Sequence, residues 1–258
     1  MLKKVIAVDL GGTNLRTALV KDGKILRYIK KSTPKKLNEL LFEMCISISQ
    51  LMEKDVKAIG IGSPGPLANG VILNPPNLPF RNFNLKGYLE KKFRKKVVIE
   101  NDAKCVALSE AKLGCKKKNF IILTLGTGIG GGIIINNELY TGSHGYAGEV
   151  NGIVLNDGKS FEKLWKEKNA NVKELFDRKY WKKLDRVAMY LGQGIASLIN
   201  VFDPEVVILM GGAREAGQPF LNMIKKHVKN YVVLPTIPEI KWSKLEHPGI
   251  LGASLLVR

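Results

Sequence analysis

The stretches Val5-Ile-Ala-Val-Asp9-Leu-Gly11-Gly12-Thr13-Asn14 and Ile121-Ile-Leu-Thr124-Leu-Gly126-Thr127-Gly128-Ile-Gly130 carry one pattern twice, an apolar run entering a glycine-rich turn. The apolar runs read as buried strands. The residues after each turn decide its meaning. Thr17-Ala-Leu-Val20 and Gly132-Ile-Ile-Ile135 read as return strands, with Asp22-Gly23 and Asn136-Asn137 as hairpin turns beyond them. Each glycine turn therefore lies inside an antiparallel hairpin. Dinucleotide-binding and Walker-type folds pass instead from strand through glycine turn to helix. The spacing Gly126-x-Gly128-x-x-Gly131 matches the dinucleotide fingerprint by letter, but the β-rich residues after it argue against that reading. Two such turns, with Gly11 and Gly126 115 positions apart, predict a duplicated domain that closes on a nucleotide from both sides.

The rest of the composition narrows the class. A chain of 258 residues with 45% apolar content is large enough for one large domain or two small ones, and the duplication favours two. No apolar run approaches a bilayer span, and Met1-Leu-Lys-Lys leads straight into a core strand, so neither a membrane partner nor a signal peptide is expected and the location reads as cytoplasmic. Cys45, Cys105 and Cys115 are isolated from one another and read as reduced thiols. The net charge of +18 raises the question of nucleic acid. Its distribution argues otherwise: the basic residues fall in short runs such as Lys91-Lys92, Arg94-Lys95-Lys96 and Lys116-Lys117-Lys118, mostly at element ends. They read as solvated surface that also attracts anionic substrates.

Working along the chain, strands are expected at 4–10, 15–20 and 24–30, followed by a helix over 36–53 with Leu37, Leu40, Leu41, Met44, Ile48 and Leu51 at amphipathic spacing. Lys57-Ala-Ile-Gly-Ile-Gly62 is a buried strand that ends in the loop Ser63-Pro64-Gly65-Pro66. A helix over 84–93, a strand Lys96-Val-Val-Ile-Glu100 and a helix over 103–113 complete the first half. The pattern restarts at Phe120, with a long helix near 181–201, the strand Val206-Val-Ile-Leu-Met210, a helix near 218–229 and an apolar closing helix. No Pro-rich or Ser-rich linker separates the halves, as suits a hinged molecule.

Open α/β sheets bind ligands beyond the carboxyl ends of their strands. Those positions hold Asp9, Gly62 to Gly65, Asn101-Asp102, Gly126 to Gly128 and Gly211-Gly212. Gly11, Gly12, Thr13 and Asn14 can offer backbone N–H groups and a hydroxyl to phosphate oxygens, or form a tight hairpin and nothing more. Asp9 is placed to hold magnesium through water. Asp102 is either a general base toward an attacking hydroxyl or an ordinary helix cap. His144 reads as a ligand or acid, or as an exposed loop histidine. Glu149 is the carboxylate of the loop from Gly142 to Gly152, and Glu162 is either a first-turn helix carboxylate or a second polyol ligand.

Eight motifs in order extend this set: Asp9-Leu-Gly-Gly-Thr-Asn14, Gly62-Ser-Pro-Gly-Pro66, Asn77-Leu-Pro79, Glu100-Asn-Asp102, Leu125-Gly-Thr-Gly-Ile-Gly-Gly-Gly132, Ala147-Gly-Glu149, Phe202-Asp-Pro-Glu-Val-Val-Ile-Leu-Met-Gly-Gly212 and Gly249-Ile-Leu-Gly-Ala253. With them the chain resembles the ROK family of sugar kinases and repressors, within the actin-like ATPase superfamily, over nearly its whole length. The resemblance implies two actin-like (ribonuclease H-like) α/β domains with the active site in the cleft between them. The first comprises 1–108 plus the closing helix at 246–258, and the larger second comprises 109–245. It implies ATP and Mg2+ as cosubstrate and cofactor, with phosphorylation of a hexose hydroxyl and Asp102 as base. Sugar contacts are implied for Gly65, Asn77, Asn101, Asp102, Glu149 and Glu162. Nucleotide contacts are implied for Asp9, Gly11, Gly12, Thr13, Asn14, Gly126, Thr127, Gly128, Gly211 and Gly212.

One region departs from the family. After the Glu at position 149 its pattern continues through Ile-Gly-His into a cysteine-rich C-x-C-G-x-x-G-C-x-E zinc motif. Here the His position falls on or beside Gly152, no cysteine follows Cys115, and only the final Glu remains, as Glu162. No structural zinc is expected. A sugar ligand is lost with the His, which opens the sugar's identity to N-acetylglucosamine or N-acetylmannosamine as well as glucose, and polyphosphate stands as an alternative donor. A sugar-binding regulator of the same family is the alternative to a kinase, although such sensors typically carry an N-terminal DNA-binding domain and only four residues precede Val5. No nucleic-acid partner is expected. A homodimer is a common outcome for soluble enzymes.

Overall fold

The computed structural model describes residues 4–75, 77–155, 158–168 and 171–257. Residues 1–3 and 258, at the ends of the expected first domain, lie outside the described residues, as do 156–157 in the shortened loop. The chain divides into two compact units: Met1–Cys115 with Gly142–Tyr146 and Leu245–Arg258, and Lys116–Thr141 with Ala147–Lys244.

The first unit runs β1 (Lys4–Leu10), β2 (Asn14–Lys21), β3 (Lys24–Ser32), α1 (Leu37–Leu51), β4 (Val56–Ser63), the short hairpin β5 (Leu67–Ala68) and β6 (Val71–Ile72), α2 (Leu85–Phe93), β7 (Lys96–Asn101) and α3 (Asp102–Ser109). Its sheet has the order β3-β2-β1-β4-β7. The first three strands pair antiparallel, and β1, β4 and β7 pair parallel. Strand alternation splits β1 between two cores. Ile6, Val8 and Leu10 join Leu40, Leu41, Met44, Ile48 and Leu51 of α1. Each of those helix side chains contributes about 1.5–3 kcal/mol by burial. Ala7 faces the other way, into a smaller cluster with Ala18, Cys105, Ile250 and Ala253.

The second unit runs β8 (Phe120–Leu125), β9 (Ile129–Ile135), β10 (Glu138–Leu139), α4 (Phe161–Lys168), α5 (Val172–Asp177), α6 (Trp181–Phe202), β11 (Val206–Met210), α7 (Gly217–Val228) and β12 (Glu239–Trp242). Its sheet order, β10-β9-β8-β11-β12, repeats the plan of the first: an antiparallel triple followed by two parallel strands. Helix α6 buries Leu184, Val187, Leu191, Ile195 and Leu198 in the same core as Ile121 and Leu123 of β8. The expected hairpin turns are present in both units. Asp22 and Gly23 (φ 53° and 72°) and Asn136 and Asn137 (φ 53° and 66°) hold the left-handed conformations that a two-residue hairpin of right-twisted strands requires.

The closing helix α8 (Pro248–Leu255) packs on α3, β1 and β4 of the first unit. Glycines make that approach possible. A Cβ on Gly60 would overlap the Ala253 carbonyl, and one on Gly252 would overlap the Cys105 carbonyl. The helix expected over 103–113 is in fact α-helical only to Ser109 and continues as a π turn, Glu110–Gly114. Cys115 N donates to Glu110 O at 2.6 Å, the wider i+5 spacing that defines such a turn. Among the described residues no helix is long and apolar enough to cross a membrane.

Candidate active site

In the first unit the carboxyl ends of the parallel strands gather the expected residues. Asp9 pairs in register with Gly62, Gly62 with Glu100, and Ser63 with Asn101. With β4 between them, Asp9 and Glu100 stand roughly 10 Å apart along one sheet edge.

The turn after β1 is fixed through its carbonyls. Gly11 N donates to Asn14 O at 2.9 Å, Thr33 Oγ1 to Gly11 O at 2.7 Å, Lys35 Nζ to Gly12 O at 2.9 Å and Thr33 N to Thr13 O at 2.9 Å. Among the described residues the amides of Gly12 and Thr13 donate to no protein acceptor. A turn whose acceptors are occupied and whose amides remain can receive an anion. Asn77 lies against it, since a Cβ on Gly12 would stand 2.8 Å from Asn77 Cβ. Gly65 holds φ +89° in the loop after β4 and packs on Pro75.

Asp9 is mostly buried, with Arg16 Nη1 donating to its Oδ2 at 2.8 Å. Burial lifts its carboxyl above the ordinary aspartate value, and the charges of Arg16 and His247 pull it back. Only the absence of a side chain at Gly249 leaves room for it, for a Cβ there would lie 2.9 Å from Asp9 Cγ. Since Arg16 engages Oδ2, Oδ1 is the oxygen left to face a hydrated cation. One carboxylate with phosphate oxygens fits magnesium, which binds proteins through few ligands.

The turn from β7 into α3 is capped by Asn101, whose Oδ1 accepts from Ala103 N at 2.9 Å and Lys104 N at 3.3 Å. The capping role foreseen for Asp102 is thus shared: its Oδ1 accepts from Ala103 N at 2.8 Å as the first residue of the helix. Gly62 lets this corner sit close to β4, its missing Cβ lying 3.5 Å from Asp102 Cα. Beneath it, burial pushes the Cys105 thiol well above its ordinary value, reinforced by Glu100, Asp102 and Asp9.

In the second unit the turn after β8 closes through Gly126 N and Gly128 O at 3.0 Å, and Trp165 Nε1 donates to Gly126 O at 3.0 Å. Gly211, at φ +110°, packs on the Leu125 backbone, which brings Gly211-Gly212 beside the turn. Gly126 and Gly212 hold no positive φ, and among the described residues nothing lies within 4 Å of a Cβ added to either. Neither backbone conformation nor packing explains glycine there. Bare backbone at these positions leaves room for a ligand to approach closely. Thr127 is exposed on the same turn.

Glu162, expected among the sugar ligands, packs on this turn: its carboxylate fills the space where Gly128 lacks a side chain, and it pairs with Lys166 at 3.2 Å. Glu149 is exposed on a separate turn, placed by the close approach of Gly148 to Gly131. His144 is likewise exposed. At Gly152, on or beside which the family's His falls, an added Cβ would meet no atom of the described residues within 4 Å. Among the described residues no three His, Cys, Asp or Glu side chains gather as a metal cluster. Arg16, Thr33, Lys35, Lys104 and Trp165 complete these surfaces without having been singled out in the sequence.

Two mixed sheets of one plan, each with glycine turns at its strand ends, define an α/β protein of the actin-like class. The ROK family model matches residues 5–160 and 155–258. The chain belongs to the ROK family. It is 30% identical to a glucokinase from Thermotoga maritima over 99% of this chain and 97% of that one. It is 28% identical to an N-acetylmannosamine kinase from Haemophilus influenzae over 99% and 95%. Among solved structures, a ROK glucokinase from Streptomyces griseus in complex with glucose and AMPPNP aligns with a TM-score of 0.85 at 27% identity, covering 98% of both chains.

Proposed function

We propose that this chain is an ATP-dependent sugar kinase that transfers the terminal phosphate to the 6-hydroxyl of a hexose, with glucose as the leading substrate. The observation that carries the reading is the single sheet edge of the first unit, where the anion-binding turn, Asp9 and the Asn101-Asp102 corner occur together. Full-length similarity to a glucokinase supports it.

In the proposed reaction Asp102 accepts the hydroxyl proton as the sugar oxygen attacks the γ-phosphorus. The new P–O bond forms while the bond to the β-phosphate oxygen breaks, and ADP departs with that electron pair. Amides of Gly12 and Thr13, with the Thr13 hydroxyl and Asn14 side chain, orient the phosphates from one unit. Gly126, Thr127 and Gly128 of the second unit are further phosphate contacts in this reading, and Gly211 and Gly212 contact the nucleoside. Asp9 holds magnesium through water, and magnesium when bound offsets charge on the transferred group. Asn101, Gly65, Asn77 and Glu149 position the sugar. Glu162, the second carboxylate expected among the sugar ligands, supports the phosphate turn from behind Gly128. The conversion needs water kept from the transferred phosphate.

A second reading, an amino-sugar kinase, is favoured by the similarity to an N-acetylmannosamine kinase and by Gly152 standing at or beside the family's His. One experiment separates the readings. ADP release is followed with magnesium and ATP across glucose, N-acetylglucosamine and N-acetylmannosamine, for the native protein and Asp102→Asn. Turnover on glucose, lost by about 10²–10⁴-fold in the variant with sugar binding retained, is the expected result. Turnover confined to an amino sugar selects the second reading, and sugar phosphate formed with polyphosphate in place of ATP selects another donor. Binding of sugar with no turnover leaves a regulator.

A further inference from the structure

Lys104 stands at the start of α3 with 4% of its side chain exposed, yet the proposed chemistry gives it no part. A buried ammonium needs acceptors, because desolvating it without them is costly. Two are present. Its Nζ donates to the Gly145 carbonyl and lies 3.9 Å from Glu100 Oε1. That same carboxylate oxygen accepts the Asn101 amide at 2.7 Å. A series of polar contacts therefore runs from Asn101, beside the proposed base, through Glu100 and Lys104 to Gly145.

Gly145 belongs to an unusual piece of chain. Residues Gly142–Tyr146 group with the first unit, while the residues on either side of them group with the second. Gly142 and Gly145 take left-handed φ values of +73° and +82°, and Gly145 N turns back to Gly142 O at 3.5 Å. The Lys104 ammonium supplies a hydrogen bond that reaches this segment from α3. The side chains of His144 and Tyr146 remain exposed on it.

We propose that Lys104 is a positioning residue: its ammonium, through Gly145 and Glu100, holds the 142–146 segment against the Glu100-Asn101-Asp102 corner. The segment thereby becomes a wall of the sugar subsite and helps decide which sugar is accepted. The inference rests on the reading that Asn101 and Asp102 engage the sugar.

The test uses the whole chain and two variants. Lys104→Met removes the ammonium. Gly145→Ala leaves Lys104 intact but opposes the left-handed backbone at a position where the added Cβ meets no atom within 4 Å, so it disturbs the segment alone. In both, KM for the preferred sugar should rise about tenfold or more and the ranking of glucose against N-acetylhexosamines should shift, with KM for ATP changed less than about twofold. Amide exchange at 142–146 should quicken in both, and Lys104→Arg should restore most of the sugar KM. Unchanged exchange in a folded Lys104→Met protein overturns the proposal. So does faster exchange with unchanged sugar KM and ranking. If Lys104→Met does not fold, Gly145→Ala decides by the same readouts. Full turnover in Asp102→Asn removes the base reading instead, and the exchange measurement is unaffected by that outcome.

Discussion

The two glycine hairpins share a topology and differ in charge. Two residues before the first glycine stand Asp9 in one and Thr124 in the other, and their cross-strand partners are Arg16 and Gly130. The first turn is braced by Thr33 and Lys35 from beyond β3, the second by Trp165 from α4. Backbone donors thus come in duplicate, but the acid–base pair comes once, on the unit that also carries Asp102. The shared plan supplies a glycine turn twice, and the charge lies on the one where the transferred phosphate is proposed to lie.

That contrast is broken most directly by exchanging its charged member. Asp9→Ala should lower kcat by about 10²–10³-fold and alter its dependence on magnesium, while Thr124→Ala changes kcat by about threefold or less. Equal losses in steady-state assays would show that the turns are functionally alike. Alanine at the glycines sharpens the comparison on a smaller scale. Gly12→Ala presses on Asn77 and should cost about 1–3 kcal/mol of stability as well as nucleotide affinity. Gly126→Ala, with open space around its Cβ, should leave the melting temperature within about 1 °C and still raise KM for ATP about tenfold. An unchanged KM would mean that no phosphate approaches the second turn.

The smallest effect is on stability against pH. Burial raises the folded-state value of Asp9, so the native protein keeps that proton to higher pH than the unfolded chain does. The associated stability is complete below the unfolded carboxylate range and lost as pH rises through the raised value. Urea midpoints measured from about pH 3 to pH 7 should therefore show a shallower decline in Asp9→Asn than in the native protein.

Much of this was legible in the chain. The hairpin reading rested on residues after each turn, and the I′-type signals at Asp22-Gly23 and Asn136-Asn137 fixed strand direction because so few residues tolerate two left-handed positions in succession. The pairing of Asp9 with Arg16 was also within reach, since a hairpin centred on Gly12 and Thr13 puts residues 9 and 16 opposite one another. Other features were hidden for physical reasons. Helix α4 buries Phe161, Leu164 and Trp165 among charged neighbours, and α5 and β12 have six and four residues, too few for periodicity to stand out. Glu162 looked like a ligand by order along the chain, yet its carboxylate backs onto Gly128 through a contact that no local pattern encodes. The bond from Lys104 to Gly145 spans 41 positions and depends on five residues grouping with the first unit while their neighbours group with the second.

The glycine contacts of α8 bear on how the molecule is made. Asp9 is finished only when Gly249 reaches it, and that residue is synthesised about 240 positions later. At roughly 5–20 residues per second, β1 waits on the order of 10–50 s for the helix that encloses its carboxylate. The whole of 116–244 emerges in that interval and contains its own sheet and core. Vectorial synthesis therefore favours a second unit that folds while the first is still open, so the surface bearing Asp9 and Asp102 is among the last parts of the protein to take its working form.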